Sequence, residues 1–302
     1  MSTHVNLSPR DLSLLRLLSW TPATTALLVR AGSAFDGGPY GNERRLRERL
    51  QSLYEAGAVR SWPVAQAGGG LQNYYKLTPL GFDMTCGPEA ERPTRAFFAE
   101  VSPSLVVHTF RLAEAIVETF RACFTRRVTI ERFIRENELA FTAGDRQVQP
   151  DCFSRLAASG RLFNLAFEID NSMASVDANA TNSIRQKLTT YERYQEKLLS
   201  QWLAGGKKWE RPRFRVVFLT QSIARAYHIL ALASEIARTP SRRLVYAAPL
   251  DTFVTDPDPL FAPLFLDHAG SWQSLINLHP TAPCLKAPVR LAKPLDSPLA
   301  VC

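Results

Sequence analysis

Apolar residues recur at helical spacing along the first part of the chain. Behind Ser8-Pro9-Arg10-Asp11 come Leu12, Leu14, Leu15, Leu17 and Leu18, a face that predicts a helix running to Trp20. Ser8 suits the N-cap, Pro9 the first turn, and Asp11 can return a capping bond. Thr21-Pro22 opens a second short helix that ends near Ala31-Gly32, and Gly37-Gly38-Pro39 breaks the chain. A third helix is predicted from about Asn42 to Ala56, stopped by Gly57, with Leu46, Leu50 and Leu53 as its buried stripe. Arg44, Glu48, Gln51 and Glu55 project opposite that stripe, and Arg45 and Arg47 flank it. Strands follow at Ala58–Trp62 and Gln72–Leu77, on either side of Gly68-Gly69-Gly70.

Three helices and a β-hairpin in this order are the plan of a winged helix-turn-helix, expected over residues 1–87. The third helix fits the recognition position, so Arg44, Arg45, Arg47 and Gln51, with Lys76 beside the hairpin tip, are the candidate contacts to double-stranded DNA. A small helical packing module used for dimerisation is the alternative reading of the same segment.

Pro88–Pro93 reads as a linker, set at residues 88–98. The second domain, expected over 99–270, opens with a helix from about Ser104 to Cys123 and a short helix over Glu131–Glu138. Strands are then predicted at Val148–Phe153, Leu162–Asp170, Phe214–Thr220 and Arg243–Ala247, with helices at Asn179–Leu203 and Ser222–Arg238. This pattern predicts an α/β (α+β) class, a mixed sheet with helices packed on it. Residues 271–302 are a Pro-rich tail.

Composition adds little to the fold and something to the partner. The net charge of +8 favours polyanions, because Lys and Arg displace the condensed counterions of nucleic acid. Cys86, Cys123, Cys152, Cys284 and Cys302 are odd in number and never spaced C-x-x-C, which argues against a disulfide framework or structural zinc and for a reducing cytoplasm. Met1–Leu7 lacks the apolar core of a signal peptide, and no window nears the roughly 18 apolar residues of a membrane span.

The chemistry concentrates in Gln149-Pro150-Asp151, Phe167-Glu168-Ile169-Asp170 and Lys187. Alternation puts Phe163, Leu165, Phe167 and Ile169 on one strand face, and Asn164, Ala166, Glu168 and Asp170 on the other. Asp151 could stand opposite Glu168 across a hairpin. Asp151, Glu168 and Asp170 would then offer hard oxygen ligands of the kind Mg²⁺ or Mn²⁺ takes. Lys187, Tyr191 and Tyr194 form one helical stripe. Facing the acids, Lys187 could polarise an attacking water. The same stripe could instead contact phosphates without chemistry, and a tyrosine nucleophile is a further option for a DNA-nicking protein.

Four short motifs occur in order: Leu77-Thr78-Pro79-Leu80-Gly81, Pro150-Asp151, Glu168-Ile169-Asp170 and Lys187-Leu188-Thr189-Thr190-Tyr191. Together they resemble the replication-relaxation family of plasmid and mobile-element proteins, across roughly residues 8–280. The resemblance implies a winged helix followed by a PD-(D/E)XK-like domain. It also implies that Phe133–Leu139 is an acidic helix before the P-D strand, with Glu136 as its acid. General PD-(D/E)XK nucleases carry E-x-K, and here Asp170 stands in the lysine's place, with Lys187 as a relocated substitute. The stretch Asn171–Ser183 is longer than the Arg-Gly-Thr turn of the family.

The implied function is DNA binding in replication or mobilisation, with either a Mg²⁺- or Mn²⁺-dependent endonuclease or nickase, or a non-enzymatic copy-number regulator on a degenerate nuclease fold. An RNA-directed or purely protein-binding scaffold is a third reading. Other replication or mobilisation proteins are expected partners, and a homodimer is one assembly the sequence allows.

Overall fold

The computed structural model describes residues 6–65, 69–171, 183–206, 213–239 and 241–277. The Pro-rich tail from residue 278, Gly68 of the expected hairpin tip, most of Asn171–Ser183, Cys284 and Cys302 lie outside the described residues. The chain divides into two compact units, residues 1–125 and 126–302.

In the first unit, α1 (Pro9–Trp20) is followed by β1 (Ala23–Thr24), α2 (Thr25–Ala31), α3 (Glu43–Glu55), β2 (Val59–Ala65) and β3 (Leu71–Leu77). The strands form an antiparallel sheet in the order β1-β3-β2, with Val59 opposite Leu77 and Ala65 opposite Leu71. The expected sequence of helices and hairpin is therefore present. Gly69 and Gly70 at its turn have φ of 89° and 83°, which glycine adopts without strain.

Asp11 ties these helices together. Its carboxylate accepts from the Ser8 backbone N–H at 2.8 Å, completing a capping box, and from Arg49 of α3 at 2.9 and 2.7 Å and the Tyr40 hydroxyl at 2.7 Å. Leu14, Leu15, Leu17 and Leu18 of α1, with Leu46, Leu50 and Leu53 of α3, are fully buried.

A helix unforeseen in the sequence, α4 (Pro79–Cys86), follows β3 directly. The Leu77–Gly81 motif builds this turn. Thr78 caps α4 by accepting from Gly81 N–H at 3.0 Å, and its hydroxyl donates to Gly57 O at 2.5 Å. A Cβ on Gly81 would lie 1.9 Å from the Ala58 carbonyl oxygen, so only glycine lets α4 approach the start of β2.

The short α5 (Arg95–Phe98) and long α6 (Val106–Thr125) complete the unit. The helix expected to open the second domain thus belongs to the first, and the proline-rich stretch 88–93 lies inside a unit rather than between two. The reason is packing. Phe120 of α6 contacts Trp20 and Phe35, Phe110 contacts Tyr74, and buried Glu118 pairs with Arg30 of α2 at 3.3 Å.

The second unit opens with β4 (Thr129–Ile134), so the short helix expected over Glu131–Glu138 is instead a strand and a turn. Ile130 and Ile134 are buried in β4, and a shift in its pairing register lies between Ile130 and Arg132. Next come β5 (Phe141–Ala143), β6 (Arg146–Val148), β7 (Cys152–Ala158) and β8 (Arg161–Asp170). Then α7 (Ile184–Ala204), β9 (Arg215–Thr220), α8 (Ile223–Ile236), β10 (Val245–Pro249), α9 (Leu250–Thr255), β11 (Phe265–Asp267) and β12 (Trp272–Gln273) follow.

The single strand expected over Val148–Phe153 resolves into the ends of two, β6 and β7, with Pro150-Asp151 between them. Seven strands make a mixed sheet in the order β12-β11-β10-β9-β8-β7-β4. β8, β9 and β10 are parallel, because α7 and α8 carry the chain back between them. β7 pairs antiparallel to β8, with Cys152 opposite Phe167. One sheet face, with Ala166, Val216, Phe218 and Ala247, packs under α7, α8 and the β5–β6 hairpin in a core containing Phe141, Leu188, Tyr191 and Phe214. The other face carries Phe167, which meets Phe253 of α9. No described helix is long and apolar enough to cross a membrane.

Burial alone would raise the Asp11 carboxyl, but hydrogen bonds from Arg49, Ser8 and Tyr40 hold it at about 2, below the ordinary 3.8. A depressed carboxyl stabilises the fold above its unfolded value and loses that contribution as pH falls through the folded one. Asp11→Asn should therefore cost about 2 kcal/mol in denaturant unfolding near neutral pH, a deficit that closes as pH falls from about 4 to about 2. A pH-independent deficit would show that Asp11 acts through packing rather than charge.

Candidate functional site

The candidate site lies at the C-terminal end of β8. Glu168 and Asp170 share the face that α7 covers, as strand alternation requires. Glu168 is only 2% exposed. A carboxylate there needs charged or hydrogen-bonding partners, and α7 supplies two on one turn. Lys187 Nζ donates to one Glu168 oxygen at 2.5 Å, and the Tyr191 hydroxyl donates to the other at 2.5 Å. Ser183 starts this helix by accepting from Gln186 N–H, which fixes the turn that carries Lys187.

Asp151 sits just before β7, in the strand pair next to Glu168. Its backbone N–H donates to Phe167 O at 3.0 Å, and its side chain accepts from Ile169 N–H at 2.6 Å. Asp151 is thereby held against β8 from both ends. Glu136 lies in the exposed turn after β4 rather than on a helix, and it brings a carboxylate oxygen within 4.8 Å of one from Asp151.

The electrostatics bind these groups into one cluster. Burial pushes the Glu168 carboxyl up, Lys187 pulls it down, and the Asp151 charge raises it again, with a net upward shift. Burial weakens the hold of Lys187 on its proton, but Glu168, Asp151 and Asp170 more than offset this and raise its pKa. Burial raises the Cys152 thiol far above its ordinary value, and the charges of Asp151, Glu168 and Glu136 add to that shift. Lys187 thus contacts Glu168 directly, and Asp151, tied to the backbone of Ile169, is near enough for its charge to act on both.

Asp170 takes a different part. Arg225, in the first turn of α8, clamps it with two bonds of 2.6 and 3.1 Å. Arg225 was not foreseen. Its signal was topological: β9 runs parallel to β8 with Asp170 opposite Thr220, so the first turn of α8 must start beside Asp170. Asp170 is thus set apart from the pair of carboxylate oxygens that Asp151 and Glu136 bring within 4.8 Å of each other, and Glu168 is held by Lys187.

Several expected contacts to nucleic acid are buried instead. Tyr191 is fully enclosed, and Tyr194 packs edge-on to Phe141 with ring centroids 4.9 Å apart, so neither lies on a phosphate-contacting face or serves as an exposed nucleophile. Burial drives the Tyr191 hydroxyl far above its ordinary pKa. Lys76 points into the first unit, where its ammonium donates to Ala99 O at 2.5 Å, and burial pushes its pKa down to about 8. The sequence misled here because the α5 segment that covers Lys76 has no strong pattern of its own.

Arg44, Arg45, Arg47 and Gln51 are exposed on α3 as expected. Arg44 pairs with Glu48 at 2.8 Å and Arg47 with Glu43 at 2.5 Å, while among the described residues Arg45 has no acidic partner.

A mixed seven-stranded sheet with an acid–lysine cluster at one end of its central strands thus follows a helical unit that bears an antiparallel hairpin. The family model described as replication-relaxation matches residues 15–206, and the chain belongs to that family. The matched stretch contains Asp151, Glu168, Asp170 and Lys187 and stops short of Arg225. Among curated proteins none matches. Among solved structures, the restriction endonuclease FokI is similar with a TM-score of 0.28 and 10% identity, over 84% of this chain and 46% of that one. The chain so spans less than half the length of that endonuclease, and a likeness this faint says nothing of activity.

Tyr191→Phe should test the site's electrostatics. A raised carboxyl pKa means that ionised Glu168 is the costlier form, so its contribution is best below the ordinary 4.5 and declines as pH rises through the folded value. Removing the Tyr191 donor should cost about 2 kcal/mol at neutral pH and much less near pH 4. An equal loss at both would mean that the hydroxyl does not serve the carboxylate.

Proposed function

We propose that this protein binds DNA in the replication or mobilisation of a plasmid or mobile element and cleaves a phosphodiester with a PD-(D/E)XK-like site. The observation that carries the reading is the Lys187–Glu168 pair beside Asp151, where two neighbouring strands and the next helix deliver an acid, an acid and a lysine. In this reading Lys187 is the relocated lysine, and Asp170, clamped by Arg225, is a structural acid.

Each residue has a defined task. Ile169 N–H and the Phe167 carbonyl orient Asp151, and Tyr191 and Lys187 hold Glu168 in place. Lys187 keeps its proton at neutral pH, so its ammonium can stabilise negative charge growing on a phosphoryl group as water attacks and the ester P–O bond breaks. The donor set of Asp151 and Glu136, hard carboxylate oxygens near one another, fits Mg²⁺ or Mn²⁺. Such an ion would supply Lewis-acid polarisation and an activated water. The N-terminal unit acts as a winged helix, with α3 as recognition helix and Arg44, Arg45, Arg47 and Gln51 facing the duplex.

A second reading, a non-enzymatic replication regulator, is favoured by one observation. Both oxygens of Glu168 and both of Asp170 already have protein partners.

Two experiments divide these readings. Asp151→Ala should abolish Mg²⁺- or Mn²⁺-dependent nicking of supercoiled plasmid while leaving duplex binding intact. If the wild type gives no nicking across both metals, the regulator is correct. Charge reversal of Arg44, Arg45 and Arg47 together should weaken duplex binding at least about tenfold and flatten its salt dependence. Unchanged binding across a salt titration would remove α3 from the interface.

A further inference from the structure

At the opposite end of the sheet from Glu168, the second unit contains a cavity of about 900 Å³. Arg161 and Glu168 are seven residues apart on β8, or about 23 Å at strand rise, so the two places are separate. The starts of β8 and β9, the second half of α7 and the segment before β10 line this cavity. Arg155, Arg161, Arg213, Arg215, Arg242 and Arg243 all line it, against one acid among the described residues, Glu196.

Bound pairs account for only part of this charge. Arg242 is taken by Glu192 and Glu196, and Arg243 by Asp267 at 3.0 Å. Among the described residues Arg161, Arg213 and Arg215 have no carboxylate partner. Burial lowers the Arg215 pKa, Tyr246 opposes that shift, and the charges of Arg161 and Arg213 add to it. A cluster of like charges at a cavity wall is relieved by an anion.

The site is also built. Asn164 accepts from Arg155 Nε at 3.0 Å and donates to the Arg213 carbonyl at 2.9 Å, which fixes both arginines to β8. Arg161 lies over the Phe163 ring at 5.4 Å, and Arg215 lies near both Phe163 and Tyr246, at 5.7 and 5.5 Å. Arg215 already donates to the Leu275 carbonyl, which leaves the Arg161 guanidinium over Phe163 to offer N–H groups to phosphate oxygens. Phe214 and Leu199, on the α7 face of the sheet, add an apolar side to the lining where it wraps the strand ends.

We propose that this cavity binds a phosphorylated nucleoside, with the phosphate on Arg161, Arg213 and Arg155 and the base on the apolar side. The volume fits a nucleotide rather than a bare anion. A base must be unpaired to enter, so the source is a free nucleotide or one unit of a single strand. The site is independent of both α3 and the Glu168 cluster.

The test is fluorescence anisotropy with the full chain and a labelled single strand of about ten nucleotides. Competitors are the unlabelled strand, a nucleoside 5′-monophosphate and inorganic phosphate. Arg161→Glu with Arg213→Glu should weaken strand binding at least about tenfold and reduce its salt dependence. Arg161→Gln with Arg213→Gln, which keeps both stems, should show the same direction if the double glutamate variant misfolds. The variant reversed at Arg44, Arg45 and Arg47 should keep its strand affinity, so failure of the winged-helix reading leaves this result unaffected.

Competition by the monophosphate assigns the site to free nucleotides, and competition by the unlabelled strand alone assigns it to strands. Three results would overturn the proposal: wild-type binding of neither the strand nor a labelled nucleoside 5′-monophosphate, unchanged binding in both cavity variants, or inorganic phosphate competing as well as the nucleotide.

Discussion

A carboxylate buried under a helix constrains everything around it. Glu168 is fixed to the α7 face of β8 by alternation, and a bare ionised carboxylate in that position would cost several kcal/mol. The chain meets this with Lys187 and Tyr191, four residues apart on α7, so the helix must present that one stripe to the strand. The same stripe continues into Leu188 and Tyr194, which anchor the hydrophobic core. The polar cluster and the core therefore share a single helix register. Rotating α7 to release Lys187 would also pull Tyr191 and Tyr194 out of the core.

Parallel pairing spreads this order across the sheet. Because β8, β9 and β10 run the same way, one end of the sheet collects their C-terminal residues and the other their N-terminal ones. Glu168, Asp170 and the Arg225 turn gather at the first end, while Arg161, Arg213, Arg215 and Arg243 gather at the second. Acids and arginines are thus sorted by strand direction, and each end has its own chemistry on one rigid scaffold.

Features set by local rules were legible in the sequence. Ser8 and Asp11 form the capping box read from their spacing, Asn42 caps α3, and the alternation of Phe163–Asp170 gave both faces of β8. Lys187 facing Glu168 was also foreseeable, since the stripe and the strand face each had one place to go. The misses came from contacts distant in sequence. Lys76 looked like an exposed hairpin lysine until residues 95–99 covered it, and Tyr191 looked like a surface ring until β5 brought Phe141 against it. Arg225 depended on which strand lies beside β8. The segment Thr129–Ile134 carried charges that imitate a helix surface, yet edge position in the sheet tolerates those charges on a strand.

The central claim is that Glu168 and Lys187 act as one unit, and a double-mutant cycle tests it most directly. Glu168→Gln, Lys187→Met and the double variant would be compared by denaturant unfolding at neutral pH. Each single change strands a buried polar partner and should cost about 3 kcal/mol or more. The double variant should cost less than the sum of the two by at least about 1 kcal/mol. Costs that add to within about 0.5 kcal/mol would show two independent groups and contradict the account.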